Sequence, residues 1–193
     1  MNAFPRWISR ILPSLLGLAI AFTLGFISPP SSRAADTASQ TNRIGVYDSR
    51  VIAYAHFWSE PHQQKIKDLA KSAKEARASG DTVRFRDMEA ELKNEQDQSH
   101  LRVFSTAPID SILALMQNRV DEVQRTTRVG RLVSKWDAVT LKQFQNAEQI
   151  DVTDALLRDF RLTEKQMKVV TDLRKQKPLP LEKAQELLRK GKL

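Results

Sequence analysis

Residues 61 to 104 carry an almost unbroken helical periodicity, and the one interruption in it decides the shape of the segment. Ile66, Leu69, Ala70, Ala73 and Ala76 recur at the offsets of a single helical face. The interruption is "ASGDTV". Gly80 suits the left-handed residue that closes a helix, and Asp81 or Thr82 can accept hydrogen bonds from the first N–H groups of the next one. Phe85, Met88 and Leu92 then resume the stripe. So short a link predicts two helices lying back along each other as an antiparallel hairpin. At 1.5 Å per residue, residues 61 to 79 extend roughly 28 Å. Beyond Leu92, "KNEQDQSH" is polar on every face. A helix there has no core to bury, so this part is expected to be thin, solvated or mobile.

Composition agrees with a helical chain. The 193 residues include only six glycines and eight prolines, too few for a sheet-rich fold with many tight turns. There is no cysteine, which excludes a disulfide framework and a thiolate metal site.

The first 34 residues read as an export signal. Arg6 and Arg10 precede the uncharged run "ILPSLLGLAIAFTLGFI", and Ser32 and Ala34 supply small residues at the positions a signal peptidase reads. The alternative is a retained anchor, since 17 apolar residues lie at the short edge of what spans ~30 Å of hydrocarbon. Either way the remainder is expected outside the cytoplasm, in a bacterial periplasm. That argues against a nucleic-acid partner despite a net charge of +8. Beyond residue 34 the positive excess lies almost wholly in residues 161 to 193, with ten Lys and Arg against four Asp and Glu.

Residues 35 to 42 form a polar linker. Ile44, Val46 and Tyr47 then fit a short strand ending at Asp48, and Ser49 is the expected cap of a helix carrying Val51, Ile52, Ala55 and Trp58. Glu60-Pro61 permits a fresh helix start. Pro108 interrupts the chain before a helix bearing Ile109, Ile112, Leu113, Met116, Val120 and Val123, which Gly130 ends. "RLVSKW" and "VTLKQF" read as two short strands about Asp137-Ala138, although Asp-Ala is not a preferred hairpin turn. In "QIDVTDALL", Ile150 and Val152 fit a strand end, and Thr153 or Asp151 can cap the helix that follows. Residues 161 to 193 add two helices. The first opens on a capping box, Thr163 to Gln166, with Met167, Val170 and Leu173 on its apolar face. The second carries Leu181, Ala184, Leu187 and Leu188.

No arrangement of residues reads as a catalytic or metal centre. His56, His62 and His100 are widely spaced, and His56 with Glu60 offers two ligands without a third. Asp48-Ser49-Arg50 lacks the glycine-flanked elbow and orienting base of a serine nucleophile. Phosphate-binding loops are absent. The reading is a non-enzyme without a cofactor.

The order of pieces resembles the Skp/OmpH family of periplasmic chaperones. The likeness is carried by "IGVYDSRV" at the front and by "LVSKWDAVTLKQF" and "IDVTDALLRDF" at the back, within residues 43 to 160. It implies an α+β, mainly α fold with a small β body and a projecting helical hairpin at about 61 to 104. It also implies a homotrimer whose body brings together Ile44, Val46, Leu132, Val133, Ile150 and Val152. The activity it implies is that of an ATP-independent holdase for unfolded outer-membrane or envelope proteins. Phe85, Met88 and Leu92 are then the client surface, flanked by Lys71, Lys74, Arg77, Arg84 and Arg86; hairpin seam and solvated surface are the plain readings of the same residues. Three features depart from the family pattern: a shorter hairpin, the break at Pro108, and the basic extension of residues 161 to 193. That extension reads first as helices packed on the body and second as an arm for an anionic membrane surface. The rival to the whole scheme is a membrane-anchored or envelope-associated structural coiled-coil protein without clients.

Overall fold

The computed structural model describes residues 42–193, so the export signal and most of the linker lie outside the described residues. The described residues are mainly helical around one small sheet. Strand β1 (Arg43–Tyr47) leads into helix α1 (Ser49–Phe57). Helices α2 (Glu60–Ser79) and α3 (Thr82–Phe104) follow, then α4 (Asp110–Leu115) and α5 (Gln117–Thr127). Next come β2 (Arg131–Ser134), α6 (Ala138–Gln143), β3 (Glu148–Asp151) and α7 (Thr153–Leu157). A 3-10 turn, Arg158–Phe160, precedes α8 (Glu164–Lys175) and α9 (Leu181–Arg189).

The sheet is parallel, in the order β2-β1-β3. Val46 lies opposite Val133, and Gly45 opposite both Leu132 and Ile150. A side chain at Gly45 would meet Leu132 Cδ2 at 2.6 Å and Val152 Cγ2 at 3.1 Å, so the middle strand needs a residue without Cβ there.

Helix α1 is buried on nearly every side, from Ser49 through Ala55 and again at Phe57. A short helix this apolar is stable only when enclosed. It packs against α3, α7 and α8, and the core continues through Ile109, Ile112, Val123, Leu156, Val170 and Leu173. The basic extension is part of this body. Val170, Leu173 and Ala184 are buried, and "KPLPL" zips onto the end of α3 through Leu179 N–H to Phe104 O at 2.9 Å and Thr106 N–H to Leu179 O at 3.0 Å.

Several local expectations hold. Gly80 sits at φ 75° as the left-handed end of α2, Asp81 accepts from Arg84 N–H, and Thr163 and Gln166 form the reciprocal capping box. Others are corrected. "VTLKQF" is not a strand: Asp137 accepts a hydrogen bond from Thr140 N–H and starts α6 instead. There is accordingly no hairpin at Asp137-Ala138, and β2 pairs in parallel with β1. The apolar run from Ile109 to Val123 is two helices, divided at Met116. "KNEQDQSH" continues α3 without a break, because the last turns of that helix lie on α1 and bury Val103. Asp48, not Ser49, caps α1.

Candidate functional site

Helices α2 and α3 pack on each other over their length. Lys65 Nζ reaches Glu95 at 2.6 Å near one end, and the Arg77 guanidinium lies 5.8 Å over the Phe85 ring near the other. Only Ala73 and Ala76 of α2 are buried, and only Val103 of α3. Phe85, Met88 and Leu92 are half-buried in the seam, and Val83 beside the link is 69% exposed. Lys71, Lys74, Arg77, Arg84 and Arg86 are all exposed around the same end. The structure thus brings the eight residues singled out on this segment onto one pair of helices, as a half-apolar, basic surface.

The six body residues come together within one chain. Ile44, Val133 and Val152 are buried in the protomer's own core, while Val46, Leu132 and Ile150 are half-buried around the sheet. The outer edges of β2 and β3 carry no further strand among the described residues.

Sequence reasoning missed a polar cluster at the carboxyl ends of these strands. Asp48 is 1% and Arg50 2% exposed. Lys135 Nζ stands 2.8 Å from Asp48 Oδ2, and Trp136 Nε1–H donates to Asp48 Oδ1 at 2.9 Å. Burial pushes the Asp48 carboxyl up, but the hydrogen bonds from Lys135 and Trp136 and the charges of Lys135 and Arg50 outweigh it and hold the group below the usual carboxylate range. Arg50 lies 4.8 Å from the Trp136 ring centroid. Its guanidinium donates to Leu173 O and Gln176 O, both at 2.7 Å, at the C-terminal end of α8, where Leu173 O also accepts from Gln176 N–H. Thr153 Oγ1 accepts from Asp48 N–H at 3.0 Å. One cluster therefore ties β1, β2, α7 and α8 together. Its signal was legible as "DSR" and "SKW", polar residues directly after β-branched runs, but the partner carbonyls lie over 120 residues away.

A second region lies where α1 meets α2. His56 and His62 lie with tilted rings, centroids 5.3 Å apart, beside Phe57. Burial pushes His56 down to about 4, helped by the charges of His62 and Arg102. Next to it is a groove of about 720 Å³ that includes Trp58, Pro61, Leu115, Met116 and Phe160.

A third is a cleft of about 420 Å³ beside β2, lined by Tyr47, Ser49, Asp110, Ser134, Asp137 and Thr140 among others. Burial, and then the nearby Asp110 and Asp137 carboxylates, push the Tyr47 phenol up to about 12. Among the described residues no three His, Asp or Glu side chains gather as a metal site, and no helix is long and apolar enough to cross a membrane.

No protein-family model, curated protein or solved structure matches the chain, so the Skp/OmpH resemblance rests on the motifs of the sequence itself.

Proposed function

We propose that the chain is an exported, ATP-independent holdase that keeps unfolded envelope proteins from aggregating, acting in the periplasm as a homo-oligomer. In this reading α2 and α3 form an antiparallel hairpin that stands out from the β body as an arm. The observation that carries it is the half-buried state of Phe85, Met88 and Leu92. Among the described residues these three side chains stay only half covered, so apolar surface remains for a client, and the surrounding Lys and Arg stems add adaptable contacts. Binding by many weak contacts prevents aggregation while exchange stays fast, and it needs no covalent chemistry. The Asp48–Arg50 cluster supports the scheme by fastening sheet and extension into a firm base for the arm.

The test is aggregation of a denatured β-barrel protein on dilution, with the exported chain added at up to equimolar ratio and no nucleotide. Suppression is expected. Met88→Ser with Leu92→Ser should weaken it several-fold, as burial of each side chain contributes about 1 kcal/mol when half of it is already covered. Gln98→Ala should not, and circular dichroism shows whether the helices survive. No suppression at any ratio moves the reading to the client-free structural role.

A further inference from the structure

The carboxyl ends of β1 and β2 point the chain in opposite directions. From β1 it passes through α1 to α5 to reach β2, on one side of β1; from β2 it returns past β1 to β3 through α6. Right-handed crossovers place these two connections on opposite faces of the sheet. In open α/β sheets that divergence opens a crevice beyond the strand ends, and ligands bind there. Here the crevice is the cleft of about 420 Å³, walled by the last residues of both strands, Tyr47 and Ser134.

Its chemistry is specific. Tyr47 is 6% exposed, and no described residue makes a hydrogen bond with its hydroxyl. Tyr47 itself lines the cleft, and so do Asp110 and Asp137, whose charges reach its hydroxyl. Asp137 caps α6 by accepting from Thr140 N–H through Oδ1, and the Thr140 hydroxyl and Val139 N–H also bond its carboxylate, which stays exposed at the cleft. Arg131, stacked 5.7 Å over Phe144, is the one cation in the wall among the described residues. Two carboxylates against one guanidinium disfavour an anion, and two without a third acidic or histidine ligand make a poor metal site. Buried Ala107, Ile109 and Val133 supply an apolar side.

We infer that this cleft binds a primary ammonium group, held between Asp110 and Asp137 with the Tyr47 oxygen accepting a hydrogen bond from it, and with the attached carbon chain over Ala107, Ile109 and Val133. The site is independent of the helical arm and of client binding.

The experiment is titration of the exported chain, followed by amide chemical shifts. Cadaverine represents a free amine and Nα-acetyl-lysine methylamide a polypeptide side chain; 1,5-pentanediol and glutarate are the neutral and anionic counterparts. Saturable shifts at Tyr47, Ser134 and Asp137 with either amine, and with neither counterpart, are expected; the tighter amine identifies the source. Asp110→Asn with Asp137→Asn should weaken binding about tenfold, as two charges near 4 Å in a well-solvated cleft contribute on that scale. Asn at 137 keeps the helix cap, and Tyr47→Phe removes a single oxygen, so both variants should fold; Tyr47→Phe should weaken binding about threefold. Absence of shifts with both amines overturns the proposal. So does an equal response to the diol or to glutarate, or unchanged amine affinity in the double variant.

Discussion

Replacing Arg50 by Ala should detach the C-terminal helices from the body without touching either strand. The guanidinium donates two 2.7 Å hydrogen bonds to Leu173 O and Gln176 O. Bonds from a charged donor contribute about 1.5 to 3 kcal/mol each. Gln176 is exposed, so its carbonyl can turn to water, and Leu173 O keeps the 3.2 Å bond it accepts from Gln176 N–H, so the lower figure applies to both. Stacking on Trp136 at 4.8 Å adds about 1 kcal/mol. Asp48 loses an ion partner at 3.5 Å but keeps Lys135 and Trp136, which limits the penalty of an unpaired buried charge. The total is about 3 to 5 kcal/mol, or roughly 10 °C in Tm for a domain of this size. Arg50→Lys retains the charge but cannot bridge two carbonyls, so about half that loss is expected. Urea denaturation measures the difference, and hydrogen exchange locates it: amides of α8 and α9 should lose protection before those of β1. A loss below about 1 kcal/mol, or uniform loss of protection, would refute the view that Arg50 fastens the extension.

Two further predictions concern the same body. Lowering the pH from 7 should reduce stability as it falls through about 6.5 toward 4. Unfolded His56 takes up a proton near 6.5, whereas the native side chain resists until about 4, so the unfolded state binds more protons in that window. His56→Gln should flatten the slope of Tm against pH there; Asp48, whose folded carboxyl is held low, contributes a separate loss only below its unfolded value. Deleting residues 161–193 should uncover the surfaces against Val170 and Leu173, a loss of about 3 to 6 kcal/mol at 1.5 to 3 per side chain. Binding of that variant to anionic vesicles should be nearly unchanged if the extension serves packing. Abolished binding by a body that stays folded would make the extension a membrane arm.

What residues 42–193 wrote into their own sequence was local. Gly80 and Asp81 end one long helix and begin the next because a left-handed residue and a side-chain acceptor solve the same problem in any surroundings. The capping box at Thr163 and Gln166 is self-contained in the same way. The stripe of Phe85, Met88 and Leu92 was legible because a helix repeats its face every few residues. Tertiary structure decided everything that depends on a distant partner. "VTLKQF" has the β-branched look of a strand, yet it lies after β2 where the chain must cross back to reach β3, and the Asp137 cap makes that passage helical. "KNEQDQSH" has no apolar face of its own, yet it stays helical because the helix beyond it gains a partner in α1. Arg50 stood in the sequence only as the last residue of Asp48-Ser49-Arg50, and only the arrival of Leu173 and Gln176 made it the link between α1 and the C-terminal helices. Tyr47 read in the sequence as a strand residue, and only the folded chain set it in one cleft with Asp110 and Asp137. Caps and periodicity act within a turn or two of the backbone, so residue order specifies them; a buried charge or a cleft is specified by which segments meet, and that is a property of the packed core.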